Sequence, residues 1–140
     1  MPHAIPFVGG LVLALANIAI TWRLSPKKAA DFYNLFMAAT AFFYFGSALP
    51  AGNINALPVE IAVSGTLFCL AMAGQWKSLK FTAVAFLAHG AWDLLHVTKG
   101  LGANAGEVFP VVCVAYDWVI AGYLWWLAPR ANPDRGQAAA

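Results

Sequence analysis

The chain has 140 residues, of which 61% are hydrophobic and 10% charged, with a formal net charge of +2. Soluble domains carry about 25% charged residues. The deficit, together with apolar runs long enough to span a bilayer, points to an integral membrane protein with room for one domain, residues 1–140. So small a net charge argues against a nucleic-acid partner.

The first expected span is 6–22. Gly10 and Ala14 form a small-xxx-small pair suited to close helix packing, and Asn17 is its one strongly polar residue. No Lys or Arg precedes this run, so a cleavable signal peptide is not expected. Ser25 reads as an N-cap with Pro26 at the first helical position. The second span covers 31–49, followed by an uncharged, turn-rich loop at 50–55. Pro58 opens the third span, 58–75, and a short basic turn leads into the fourth, 81–98. A glycine-rich loop separates this from the fifth span, 108–128, and the polar tail 130–140 is expected to be flexible.

Five spans put the two ends of the chain on opposite sides. Arg23, Lys27, Lys28, Lys77, Lys80, Arg130 and Arg135 fall on one side, and Lys99 alone on the other. The positive-inside rule then places the N-terminus outside and the C-terminus in the cytoplasm. Trp22, Trp76, Trp125 and Trp126 fall at the inner interface as aromatic anchors. The expected location is a bacterial inner (cytoplasmic) membrane. Cys69 and Cys113 fall in opposite halves of the membrane, which argues against a disulfide.

The fourth span carries His89, Asp93 and His96 at i, i+4 and i+7, which aligns them on one helix face. A charged group at the bilayer centre costs roughly 2.5–3.5 kcal/mol on insertion scales, so the cluster needs a metal, a partner charge or water. Two imidazoles and a carboxylate suit a divalent ion, Zn or Cu, or non-haem Fe. The other reading is an intramembrane hydrogen-bond network that holds the helices together. The i to i+7 separation is about 10 Å along the axis at ~1.5 Å per residue, too long for one ion to bridge comfortably. The expected ion therefore lies near Asp93 and His96, with His89 as a deep ligand or as the partner of Asp117.

Helix rise also ranks the polar residues by depth from the outer face. Glu60 and His96 lie ~3 Å in, Asp93, Ser64 and Cys113 ~7–9 Å, and His89 and Asp117 ~13–14 Å. The second span adds Thr40, Tyr44 and Ser47, again at i, i+4 and i+7. The inner halves of these helices read as nearly all apolar, so the polar faces describe one outward-opening cavity. Asp117 is a candidate ligand, orienting acceptor or general base, and Glu60 a second candidate proton acceptor. Ser64, Tyr44, Ser47, Cys113 and Tyr116 are expected to line the cavity or to bond helices together, and Trp92 and Trp118 to pack nearby.

The pattern H-x3-D-x2-H followed by P-x2-C-x2-Y-D, carried by Pro110, Cys113, Tyr116 and Asp117, resembles an uncharacterised family of small bacterial multi-pass membrane proteins. That resemblance implies a multi-pass fold and brings no activity with it. The chain is also loosely similar to the Asp/His/His copper sites of membrane copper monooxygenases, where ligand order and spacing differ. It lacks the H-x3-H pair of the membrane ceramidases.

The sequence thus leads us to expect an all-α integral membrane bundle of five transmembrane helices, surrounded by membrane lipid, as a homo-oligomer or a subunit of a larger complex. The metal site would serve a hydrolase or hydroxylase acting on a lipophilic substrate, or a metal-binding module. A non-catalytic accessory subunit is the alternative. A proton or ion pathway is a third, against which the apolar inner halves count.

Overall fold

The computed structural model describes residues 3–48, 54–100, 106 and 108–131, without the side chains of 47 and 48. Within them the chain is all-α. Helix α1 is Ala4–Thr21, α2 Pro26–Thr40, α3 Phe43–Ala48, α4 Leu57–Trp76, α5 Leu79–Lys99 and α6 Val108–Ala131, with a 3-10 turn at Ile54–Ala56 before α4. The polar tail beyond Ala131 and most of the glycine-rich loop lie outside the described residues.

Local chemistry sets the helix ends. The Ser25 side chain accepts from the backbone N–H of Lys28, with Pro26 opening α2 as the sequence suggests. Ser78 caps α5 in the same way, accepting from Lys80. At the far end of α5, Gly100 adopts φ 60° and its N–H bonds the carbonyl of His96 at 3.1 Å. Only glycine takes that left-handed conformation without a steric cost.

The five long helices run up and down. Glu60 meets His96 across α4 and α5, Lys80 lies over the Trp125 ring, and His89 meets Asp117 across α5 and α6. Both pairs are therefore antiparallel. Helices α1 and α6 run parallel, since Gly10 packs against Val112 and Ala115 while Trp22 stacks on Trp126. A five-helix alternating bundle requires that relation between its first and last members. It also gathers Arg23, Lys27, Lys28, Lys77, Lys80 and Arg130 at one end, together with Trp22, Trp76, Trp125 and Trp126.

The surface is inverted relative to a water-soluble domain. Ile5, Leu15, Ile20, Leu35 and Ile61 face outward, while Glu60, Asp93, Asp117 and His89 are buried. Among the described residues, three helical stretches are long and apolar enough to cross a membrane: Ala4–Thr21, Ile54–Trp76 and Val108–Ala131. Helix α2 has 15 residues, about 22 Å at ~1.5 Å per residue, against a hydrocarbon core of ~30 Å. Helix α5 is long enough but carries His89, Asp93 and His96.

Two expectations need correction. The helix that opens at Pro26, whose span was expected to be continuous over 31–49, breaks after Thr40. The Thr40 hydroxyl donates back to the carbonyls of Phe36 and Met37 at 3.0 and 3.3 Å, a pattern that bends helices. Nor are the halves nearest the basic end nearly all apolar. Asn34 donates to Gln75 at 2.7 Å, Gln75 donates to Asp31 at 3.1 Å, and Thr82 donates to Asn34. A second network runs from Thr21 to Tyr33 at 3.0 Å, from Tyr33 to Asn17 at 3.2 Å and from Asn17 to Tyr116 at 2.8 Å. Scattered polar residues on different helices meet here only because the bundle assembles.

Candidate metal centre

Helix α5 presents His89 and Asp93 one turn apart, and α6 brings Asp117 against them. All three are buried, with 3%, 0% and 4% exposure. The His89 Nδ1 lies 2.6 Å from Asp117 Oδ2 and 3.2 Å from Asp93 Oδ2. A ring nitrogen carries one N–H, and the shorter contact to Asp117 takes it. That leaves His89 Nε2 and Asp93 Oδ2 buried without a hydrogen-bond partner among the described residues. The other Asp93 oxygen, Oδ1, accepts from the Tyr44 hydroxyl of α3.

The close approach of α6 depends on Gly90. A Cβ there would lie 2.7 Å from Trp118 Nε1 and 3.3 Å from Asp117 Cβ. With glycine in place, Trp118 rests on the α5 backbone and Asp117 reaches the imidazole.

One ligand atom from each of His89, Asp93 and Asp117 lies within 4.8 Å of the others, so the group could hold a metal ion. Its charge balance fits a divalent cation. Two carboxylates and a protonated imidazole leave one net negative charge in a buried site. Two carboxylates, a neutral imidazole and a divalent ion leave none, which offsets the cost of burying charge.

A model of the family of unknown function DUF6010 matches residues 5–130. The chain belongs to DUF6010. The match takes in all three residues of the cluster and brings no known activity. No curated protein and no solved structure matches this DUF6010 chain.

His96, expected as a ligand beside Asp93, belongs to a separate cluster. Its Nδ1 donates to the Trp92 carbonyl at 2.9 Å and its Nε2 lies 3.3 Å from Glu60 Oε1. Both ring nitrogens thus have partners outside the His89–Asp93–Asp117 group. Trp92 Nε1 donates to the other Glu60 oxygen at 3.3 Å. Glu60 is buried to 1% exposure, and a carbonyl can only accept. The His96–Glu60 contact therefore contains a proton on one partner or the other. The Tyr44 ring stacks on His96 with centroids 4.0 Å apart while its hydroxyl bonds Asp93, so it joins the two clusters.

Asp117 takes the place in the cluster that the helix periodicity gave to His96. Ser64 is buried one turn beyond Glu60 on α4. Cys113 and Tyr116 line a cavity of about 430 Å³ together with Asn17, Thr40, His89 and Asp117. Ser47 lies outside the residues whose side chains are described. The apolar cavity walls, among them Leu13, Phe36, Phe43, Phe109 and Val112, were missed by sequence reasoning. An apolar residue in an apolar span carries no mark that it faces a void. On α1, Asn17 was the one available signal.

Proposed function

We propose that this DUF6010 chain is a membrane-embedded metal protein whose ion is held by His89, Asp93 and Asp117 between α5 and α6. The observation that carries the reading is the pair of buried atoms, His89 Nε2 and Asp93 Oδ2, that have no hydrogen-bond partner among the described residues, in a group whose ligand atoms converge within 4.8 Å. One imidazole and two carboxylates form a harder set than the expected two imidazoles and one carboxylate. This favours Zn²⁺, Mn²⁺ or Fe²⁺ over copper. The ion would activate water or a substrate oxygen for hydrolysis or hydroxylation of a lipophilic molecule, with Glu60 as an outlying proton acceptor. Five membrane crossings, with the N-terminus outside and the cluster in a bacterial inner membrane, complete the proposal. The test is metal content after reconstitution with each ion and removal of excess. Wild type should hold about one ion per chain. His89→Ala, Asp93→Asn and Asp117→Asn should lose it, and His96→Ala should keep it. Sub-stoichiometric metal in folded wild-type protein would overturn the reading.

A second reading is favoured by the polar networks near the basic end. Glu60 and His96, Tyr44 whose ring stacks on His96, and then Asp93, His89 and Asp117 lead to the cavity, and Tyr116, Asn17, Tyr33 and Thr21 lead away from it. Such a series of groups suits a proton pathway, and it removes the argument that apolar inner halves count against one. Reconstituted vesicles with a pH-sensitive dye inside would show acid-driven proton entry on this reading. An unchanged internal pH would reject it.

A further inference from the structure

The 430 Å³ cavity is bounded by α1, α2, α3, α5 and α6. Leu13, Phe36, Phe43, Phe109 and Val112 give it apolar walls, and Asp117 and His89 stand among its polar groups. Three wall residues are also exposed, Leu13 at 56%, Phe43 at 42% and Phe109 at 38%. Residues that are both lining and surface define a mouth. Here the mouth lies between α1 and the α3/α6 pair, whose Phe43 and Phe109 rings stack at 4.3 Å. The three residues that mark it are apolar, and it opens on the lateral surface that the inverted burial pattern turns to lipid.

We propose that this cavity binds a neutral, single-chain lipophile bearing one hydroxyl group, which enters sideways from the bilayer and places its hydroxyl at Asp117 and His89. The proposal rests on reading the bundle as membrane-embedded with the His/Asp/Asp cluster as its ion-loaded reactive centre, since the ion is what turns away a cationic head. Three observations select the ligand class. The volume falls within the ordinary range for small-molecule sites, about 300–1,000 Å³. At roughly 30 Å³ per water-sized group it holds on the order of fourteen such groups, which suits a medium-length chain better than a two-chain lipid. The apolar walls disfavour water and reward an alkyl or isoprenoid chain. The polar end selects the head. Without an ion, two carboxylates beside one imidazole repel a carboxylate head. With a divalent ion, the site is neutral, and either a carboxylate or an ammonium would add an uncompensated charge to an apolar cavity. A hydroxyl adds none in either state, and it can donate to Asp117 or ligate the ion.

The test uses the full chain in lipid nanodiscs and a diazirine-bearing medium-chain alcohol as photoprobe. Labelled peptides are mapped by mass spectrometry, with decanol, decanoate, decylamine and decane as competitors. Labelling should concentrate on peptides containing Phe43, Phe109 or Val112, and decanol should compete at least about tenfold better than the other three. Val112→Trp should fill the cavity and abolish that labelling while metal content is unchanged. Leu13→Trp places the same bulk at the exposed rim and serves if Val112→Trp does not fold. Labelling spread evenly over the bundle, labelling unaffected by either tryptophan, or preference for decanoate or decylamine would each overturn the proposal. Metal content, read on the same samples, separates that failure from failure of the metal reading.

Discussion

Tyr44 occupies an unusual position among the side chains of the site. Its hydroxyl supplies the donor to Asp93 Oδ1, and its ring is stacked on His96. Removing the hydroxyl with Tyr44→Phe leaves a buried carboxylate oxygen without its donor, at a cost of about 1–3 kcal/mol. Because groups that orient ligands typically contribute 10–100-fold to metal affinity, Tyr44→Phe should weaken the ion by about that factor and leave the helices intact. Isothermal titration with Zn²⁺ measures the first effect and circular dichroism the second. His89 permits a sharper test. The ion can bind Nδ1 and displace its proton to Nε2, or it can bind Nε2 and leave the proton between Nδ1 and Asp117 Oδ2, which are 2.6 Å apart. Neither releases a proton from a neutral imidazole, so release of about one proton per ion in weak buffer marks an imidazolium in the empty site. Nitrogen-15 spectra of the loaded chain decide the atom: an N–H on Nε2 assigns the ion to Nδ1, and an N–H on Nδ1 assigns it to Nε2.

For the helices, two glycines set two different distances. Gly90 lets α6 approach α5, and a methyl group there would meet Trp118 and Asp117. Gly10 lets α1 approach α6, where a methyl group would fall on the Val112 carbonyl and lie 2.9 Å from Ala115 Cβ. Overpacking of this kind typically costs 1–3 kcal/mol. The consequences should separate by site. Gly90→Ala should move Asp117 and lower metal affinity at least about tenfold. Gly10→Leu should displace α1, open the cavity wall and impair capture of the alcohol photoprobe, with metal content retained. Metal and photolabelling assays on the two variants would expose any departure from this pattern. The Thr40 break acts similarly at the level of an element. It divides what would be one helix so that Thr40 faces the cavity while Tyr44 reaches Asp93.

At the scale of the whole molecule, alternation of the five long helices concentrates charge at one end. Six of the basic residues lie there within the described chain, and Arg130 and Lys80 pack over Trp126 and Trp125. Cations and amphipathic rings gathered in this way match a cytoplasmic membrane interface. A reporter fused at the C-terminus should therefore read as cytoplasmic. A periplasmic signal would reverse the orientation and turn the Glu60–His96 end toward the cytoplasm. Cys69 is exposed on the bundle surface and Cys113 is partly buried, and both are free thiols. The intact mass under non-reducing conditions should equal that of the fully reduced chain. A deficit of about two mass units would require the two cysteines to approach within disulfide distance, Cα atoms less than about 7 Å apart.

The sequence alone determined the all-α character, the helix start at Ser25 and the stop before the glycine-rich loop that Gly100 opens, because capping and turn chemistry are local. It also brought His89 and Asp117 to one depth, since helical rise is fixed at ~1.5 Å per residue and the loop between α5 and α6 is short. Periodicity placed His89, Asp93 and His96 on one face, and there its information ended. Rotation of α5 against α4 and α6 decided that His96 turns to Glu60 while Asp117 joins His89 and Asp93. Nothing within a helix specifies its rotation relative to a neighbour. Packing does, through positions such as Gly90 and Gly10 where backbones approach. The cavity was decided in the same way, because a void exists only between helices and its walls are ordinary apolar residues until the bundle closes around them.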